Sequence, residues 1–343
     1  MDPYQNQEIG EKFGVLPDGR EVRSYNLFNA AGVIIQVLDY GCIINSLILP
    51  SNAGPIDVVL GFEKVDDYIN AHSLPAPPYF GAVVGRYAGR IKNGKFKIND
   101  NEFQLNINNN SHTLHGGVKG LDQRLWSVID YNDDGTSITF SYTSKAGEEN
   151  FPGEMNIKVN YQLGDDNELS ISYHATSTED TIINLTQHSY FNLSGHKAGL
   201  EDHELFINAP EVIEIDAENI PSGKLIPAAD KGFDFTTPRA IPHVIDDSFI
   251  IQDTSQPAAV LESKSSGVRL TVTSNQPSVH IYVGGNLFGR MTGKENIGYH
   301  PYSGICFESQ NYPDAPNQPA FPNAVLRKGE EYTHATKWKF DFL

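Results

Sequence analysis

A chain of 343 residues that is 39% hydrophobic and 10% aromatic can bury a full core and is too apolar to be largely disordered. Its 43 acidic against 25 basic residues leave a formal net charge of -18, which repels phosphate backbones and anionic lipid surfaces and argues against nucleic-acid and membrane partners. That charge gives an uncharged substrate no steering and reads as solubility.

The amino terminus, Met1 to Glu8, is polar, and no later run approaches the length needed to span a bilayer, so a cytoplasmic chain is expected. From Gly32 the pattern is strand after strand. Val33, Ile35 and Val37 alternate with their neighbours, Gly41 interrupts, and Ile43 to Leu49 resumes until Pro50. The segment from Phe62 to Ile69 spaces its apolar residues three and four apart and predicts a short helix. Gly94 to Ile107 reads as a hairpin turning at Asn99-Asp100-Asn101. Ile138 to Tyr142, Met155 to Leu163, Leu169 to Tyr173, Val268 to Val272 and Val279 to Tyr282 continue the series. A length prior of roughly 150 residues per domain suggests two domains, but all-β units often exceed it. No linker, repeat or low-complexity tract divides this chain, which predicts one large all-β antiparallel sandwich over residues 1–343 with a few short helices. Cys42 and Cys306 each sit among apolar residues, where a thiol behaves as a small hydrophobe, and nothing suggests a disulfide scaffold.

Polar chemistry collects in four stretches. In Gly85-Arg86-Tyr87-Ala88-Gly89-Arg90-Ile91 either arginine could offer a planar fork of N–H groups to hydroxyls or carboxylates, or pair with one of the many acids. The run Asn108 to Gly117 contains His112, His115 and the pair Gly116-Gly117. The histidine spacing lacks the helical frame and the cysteine or carboxylate companion of a zinc site, so a polar binding loop is favoured. Nearby Trp126 reads as core packing before sugar stacking.

As a strand, Ile183 to Leu193 would place Asn184, Thr186, His188, Tyr190 and Asn192 on one face, uncharged amide, hydroxyl and imidazole groups suited to a neutral, hydroxyl-rich ligand. A half-exposed strand with a structural histidine is the alternative. In Gly304 to Pro316, an extended backbone puts Gly304, Cys306 and Glu308 on one face, so a carboxylate ends an apolar strand beside small residues. Partial burial would make it a better base near neutrality, and an ion-paired structural Glu is the other reading.

These four stretches, in this order, resemble the aldose 1-epimerase (galactose mutarotase) family over most of the chain. The resemblance implies a β-sandwich with an open sugar groove, no metal and no organic cofactor, and interconversion of the α and β anomers of a free aldohexose such as galactose or glucose. It implies Glu308 as catalytic base and His188 as catalytic acid, with Arg90, His115, Tyr190 and Asp246 contacting the sugar; Asp246 is chosen over its neighbour Asp247. Three positions depart from many relatives. Gly89 stands in place of an Asn, His280 in place of a glutamine at the sugar site, and Gln187 in place of an Asn. The first two bear on substrate preference. The partner expected is a small-molecule sugar, bound by a monomer or homodimer. The rival readings are a non-catalytic carbohydrate-binding sandwich and a glycoside hydrolase pairing Glu308 with Asp246 or Asp314.

Overall fold

A computed structural model of the chain describes residues 10–51, 54–287, 289 and 291–343. Antiparallel ladders build three large sheets among them. Glu11–Val15, Glu21–Phe28, Ile34–Leu38, Ile44–Leu49 and Ile56–Asp57 follow one another in a five-stranded meander. A nine-stranded sheet is centred on Met155–Leu163, Glu168–Ser177, Glu331–Phe342 and Val268–Ser274. A six-stranded sheet runs in the order Tyr190–Phe191, Ile305–Gln310, Ser278–Val283, Asp246–Ile250, Glu211–Ile215, Pro221–Pro227.

Alternation explains how these sheets stack. In Met155–Leu163 every odd residue is buried, and the interleaved Asn156, Lys158 and Gln162 are exposed, the period of two expected of a half-covered strand. The inward residues of the nine-stranded sheet, among them Val159, Ile171, Leu270 and Trp338, share one buried cluster with Phe249, Ile281, Ile305 and Phe307 from one face of the six-stranded sheet. Phe191 meets Trp338 edge-on, with ring centroids 4.8 Å apart, a favoured aromatic geometry. The six-stranded sheet thus spends one face on the core and keeps the other for polar side chains. The all-β sandwich reading holds.

The predicted helix forms over Val65–Ala71, a few residues later than its periodicity suggests, and buries Val65, Tyr68 and Ala71. The Tyr68 hydroxyl accepts the Phe62 N–H at 3.1 Å and donates to Asn45 Oδ1 at 2.6 Å, so Phe62 is held by the helix without belonging to it. The predicted hairpin pairs Lys95–Ile98 with Asn101–Gln104. Cys42 and Cys306 are both free and buried, and Trp126 packs in the core.

The stretch from Ile183 to Leu193 departs from the single strand expected. Thr186–Gln187 pairs with Val83–Val84, Tyr190–Phe191 pairs with Ile305 and Cys306, and His188 and Ser189 lie between the two pieces. The whole stretch is buried, so it has no solvent face. Its polar residues divide accordingly. The Asn184 amide donates to the carbonyls of Ala88 and Asn311 and accepts the Asn311 N–H at 2.8 Å. Asn192 donates to the carbonyls of Ala198 and Ser303. These amides satisfy buried backbone groups where the chain crosses between layers, and only His188 and Tyr190 of the five reach the cavity.

Candidate active site

The polar face of the six-stranded sheet is set by register. His280 lies directly opposite Glu308 on one side and Ser248 on the other; Tyr282 lies opposite Cys306 and Asp246. Paired residues share a face, so Glu308, His280 and Ser248 form one row, and Tyr190, Cys306, Tyr282 and Asp246 the next. Alternation also separates the two adjacent aspartates. Asp246 lines the cavity. Asp247 points the other way and forms an ion pair with Lys231.

Loops close the cavity from above. Arg90–Ile91 pairs with Thr113–Leu114, which brings two separate sequence motifs together and sets His115 beside Gly89. His115 has a positive φ of 51°, and its Nδ1 accepts the Gly89 N–H at 3.3 Å. The paired glycines beside it have a steric reason. A Cβ on Gly116 would lie 1.9 Å from the Gly85 carbonyl oxygen, and Gly116 also has a positive φ of 92°. Gly89 likewise takes a positive φ of 78°, and a Cβ there would meet Pro313 at 3.1 Å. The two arginines of the first motif part company. Arg86 is buried and donates to Ser144 Oγ and to the carbonyls of Ser144, Lys145, Pro152 and Gly153, a structural role. Arg90 lines the cavity and donates from Nε to Asn109 Oδ1 at 3.2 Å.

At the floor, His188 Nε2 lies 3.5 Å from Glu308 Oε1, and both side chains are almost wholly buried. Among the described residues, Glu308 Oε2 has no hydrogen-bond partner. Asp246 accepts from Asn219 Nδ2 at 2.9 Å and is 3.0 Å from His280 Nε2, while His280 Nδ1 is 2.9 Å from Ser248 Oγ. Burial alone would lower the His280 pKa, but the bond to Asp246 and the charges of Glu308, Asp246 and Asp247 raise it overall. Burial would raise Asp246, and His280 brings it below the usual carboxylate value. His188 behaves differently. Burial lowers its pKa, and the opposing charge of Glu308 does not restore it, so proximity to that carboxylate does not hold the ring charged at neutral pH. Burial also pushes His115 well down, with His188 and Arg90 acting in the same direction.

All seven residues expected at the site, Arg90, His115, His188, Tyr190, Asp246, His280 and Glu308, line this one cavity. Asp314 does not. It is buried elsewhere, accepting from the Lys92 N–H and from Asn317 and Gln318. Sequence reasoning missed several lining residues. Ser248, Tyr282 and Gln310 each follow a predicted site residue by two, a spacing that could have found them. Tyr79 and Asn219 come from loops and gave no such signal, whereas Asn109 lies within the Asn108 to Gly117 run read as a polar binding loop. One ligand atom each from His115, His188 and Glu308 lie within 4.8 Å of one another, a set that could hold a metal; His112 is not in it. Because His115 Nδ1 already accepts a hydrogen bond, the neutral ring carries its proton on Nε2 and offers a donor there. That arrangement suits a hydroxyl better than a cation.

Tyr79 walls the site, with its ring centroid 4.8 Å from His115 and 5.6 Å from His188. Behind it, His72 Nδ1 is 3.5 Å from the Asp122 carboxylate. Burial raises Asp122 to about 7 and lowers His72 to about 4. A carboxyl whose folded pKa exceeds its unfolded value favours folding below the unfolded pKa and loses that contribution as pH rises through the folded one. Asp122→Asn keeps the shape without titrating. Relative to wild type it is expected to gain on the order of 4 kcal/mol of stability between pH 4 and pH 8. Urea unfolding at both pH values checks this, and parallel pH dependence in the two proteins would refute it.

A buried carboxylate facing an imidazole in an open polar cavity, on the front of a β-sandwich, is the equipment of a general acid–base catalyst acting on a hydroxylated ligand. A family model, aldose 1-epimerase, matches residues 23–339. The galactose mutarotase of Homo sapiens is 37% identical over 340 residues, covering 96% of this chain and 97% of that protein. The aldose 1-epimerase of Escherichia coli K12 is 31% identical over 350 residues, covering 97% and 99%. Among solved structures, an aldose epimerase homologue from C. elegans superposes with a TM-score of 0.87 at 28% identity, covering 94% of this chain and 99% of that one. A galactose 1-epimerase from Lactobacillus acidophilus gives 0.84 at 26% identity, covering 97% and 98%. The chain belongs to the aldose 1-epimerase family.

Proposed function

We propose that this chain interconverts the α and β anomers of a free aldohexose, galactose or glucose, by acid–base catalysis of ring opening. The observation that carries the reading is the contact of 3.5 Å between His188 and Glu308 at the buried end of the cavity. Glu308 removes the proton from O1 while His188 protonates the ring oxygen. The C1–O5 bond breaks and O1 becomes the carbonyl of an open-chain aldehyde. Rotation about C1–C2 turns the other face of the carbonyl to O5, and the two transfers run in reverse to close the second anomer. Protons and electrons balance between the two side chains, and each well-placed group contributes on the order of 10²- to 10⁴-fold.

Arg90, His115, Tyr190, Asp246 and His280 hold the sugar in this reading. Arg90 donates to hydroxyls and the Asp246 carboxylate accepts from them, while the charged His280, its two N–H groups directed at Asp246 and Ser248, holds that carboxylate toward the sugar. The protein works as one domain in the cytoplasm, as a monomer or homodimer, on a small soluble sugar.

Polarimetry of freshly dissolved α-galactose and α-glucose is the direct test. The protein is expected to speed the approach to equilibrium rotation of at least one sugar in proportion to its concentration. If it binds a sugar yet equilibrates it no faster than buffer, the chain is a binding protein and the catalytic reading falls.

A further inference from the structure

One strand supplies neighbours for both ring nitrogens of His188. Glu308 Oε1 stands 3.5 Å from Nε2, and Cys306 Sγ, two residues earlier on the same face, stands 3.7 Å from Nδ1. Opposite Cys306 in the register lie Tyr190 and Tyr282, and Gly304 continues its row without a side chain: a Cβ there would be 3.1 Å from Tyr190 Cβ and 2.9 Å from Leu60 Cδ1. The thiol is wholly buried and free, so solvent cannot compete for the imidazole nitrogen it faces.

We propose that Cys306 is a positioning residue whose sulfur accepts the Nδ1–H of His188, fixing Nε2 as the nitrogen that exchanges protons. The proposal rests on the reading of His188 as the acid. Ring opening and closure need one nitrogen to give a proton to O5 and later take it back, so the other must keep its hydrogen throughout. An Nδ1–H without a partner would let the neutral ring switch tautomer and present Nε2–H when a lone pair is required. Sulfur suits this task because it is a weak acceptor. A carboxylate in its place would raise the basicity of the imidazole and weaken it as an acid, whereas a thiol fixes the ring while adding little. Burial keeps the thiol protonated, pushing its pKa well up, so no thiolate charge reaches the ring.

The test reads tautomer and turnover separately. Protein labelled with ¹⁵N-histidine, with the His188 signals assigned by their loss in His188→Asn, is expected to show the neutral ring protonated at Nδ1. Cys306→Ala should admit the other tautomer and lower kcat for mutarotation about 3- to 10-fold, the range of one modest hydrogen bond, with KM unchanged. Cys306→Ser, which restores an acceptor, should recover both readouts. Wild-type His188 found protonated at Nε2 overturns the proposal without any variant, as does a serine variant as impaired as the alanine one, which would mark the thiol as packing alone. Should the wild type fail to accelerate mutarotation while its ring is held at Nδ1–H, the acid assignment falls and the Cys306 contact stands.

Discussion

Glu308→Gln is expected to lower kcat for galactose mutarotation by on the order of 10²- to 10⁴-fold with little change in sugar affinity. The substitution keeps the length and planarity of the side chain and removes its capacity to take the O1 proton. Glu308 sits directly opposite His280 in the sheet, and its Oε2 has no partner among the described residues, so the carboxylate is free to meet the substrate. Its charge is also one of the causes that raise His280. The variant should therefore show a lower His280 pKa by NMR, a readout independent of turnover. Retained turnover in Glu308→Gln would remove the carboxylate from the chemistry, whatever the affinity.

His188→Asn is expected to cost a similar factor, and its pH dependence separates it from a packing defect. The ring must be protonated to act as an acid, and burial sets its pKa below the ordinary 6.5. The active fraction of the free enzyme therefore falls as pH rises through that lowered value, and wild-type kcat/KM should decline on the alkaline side from a midpoint below 6.5. A low pKa also makes the protonated ring a stronger acid, which partly offsets its smaller population. Asn cannot titrate, so the residual activity of the variant should lose this limb. A wild-type profile that stays flat from pH 5.5 to 8 would show that His188 is not the proton donor.

The alternating strands were legible because burial on one face leaves a period of two in the sequence, as in Met155–Leu163. Glu331–Phe342 was not, although it pairs with strands on both sides. Two of its inward positions are His334 and Thr336, which bond each other at 2.8 Å, so the apolar signal is broken where polar groups satisfy one another. The site motifs were legible for a different reason. Glycines at positive φ, such as Gly89 and Gly116, and a carboxylate closing an apolar strand are improbable without a purpose. Their division of labour was hidden. Arg86 and Arg90 look alike in sequence, and only the carbonyl cage around Arg86 shows that one of them serves the backbone. The charge state of His188 was equally hidden, because it depends on burial from several elements at once.

The place of Glu331–Phe342 in the nine-stranded sheet also bears on how the protein is made. This strand is inserted between Glu168–Ser177 and Val268–Ser274, partners that leave the ribosome long before it does. Until it arrives, both present unpaired edges and part of the core lacks Trp338 and Phe340. Closure of the sheet is consequently a late, long-range event that local hairpins cannot complete. A chain truncated before residue 331 would carry the floor of its cavity, Glu308 included, on a scaffold whose two strand edges stay open.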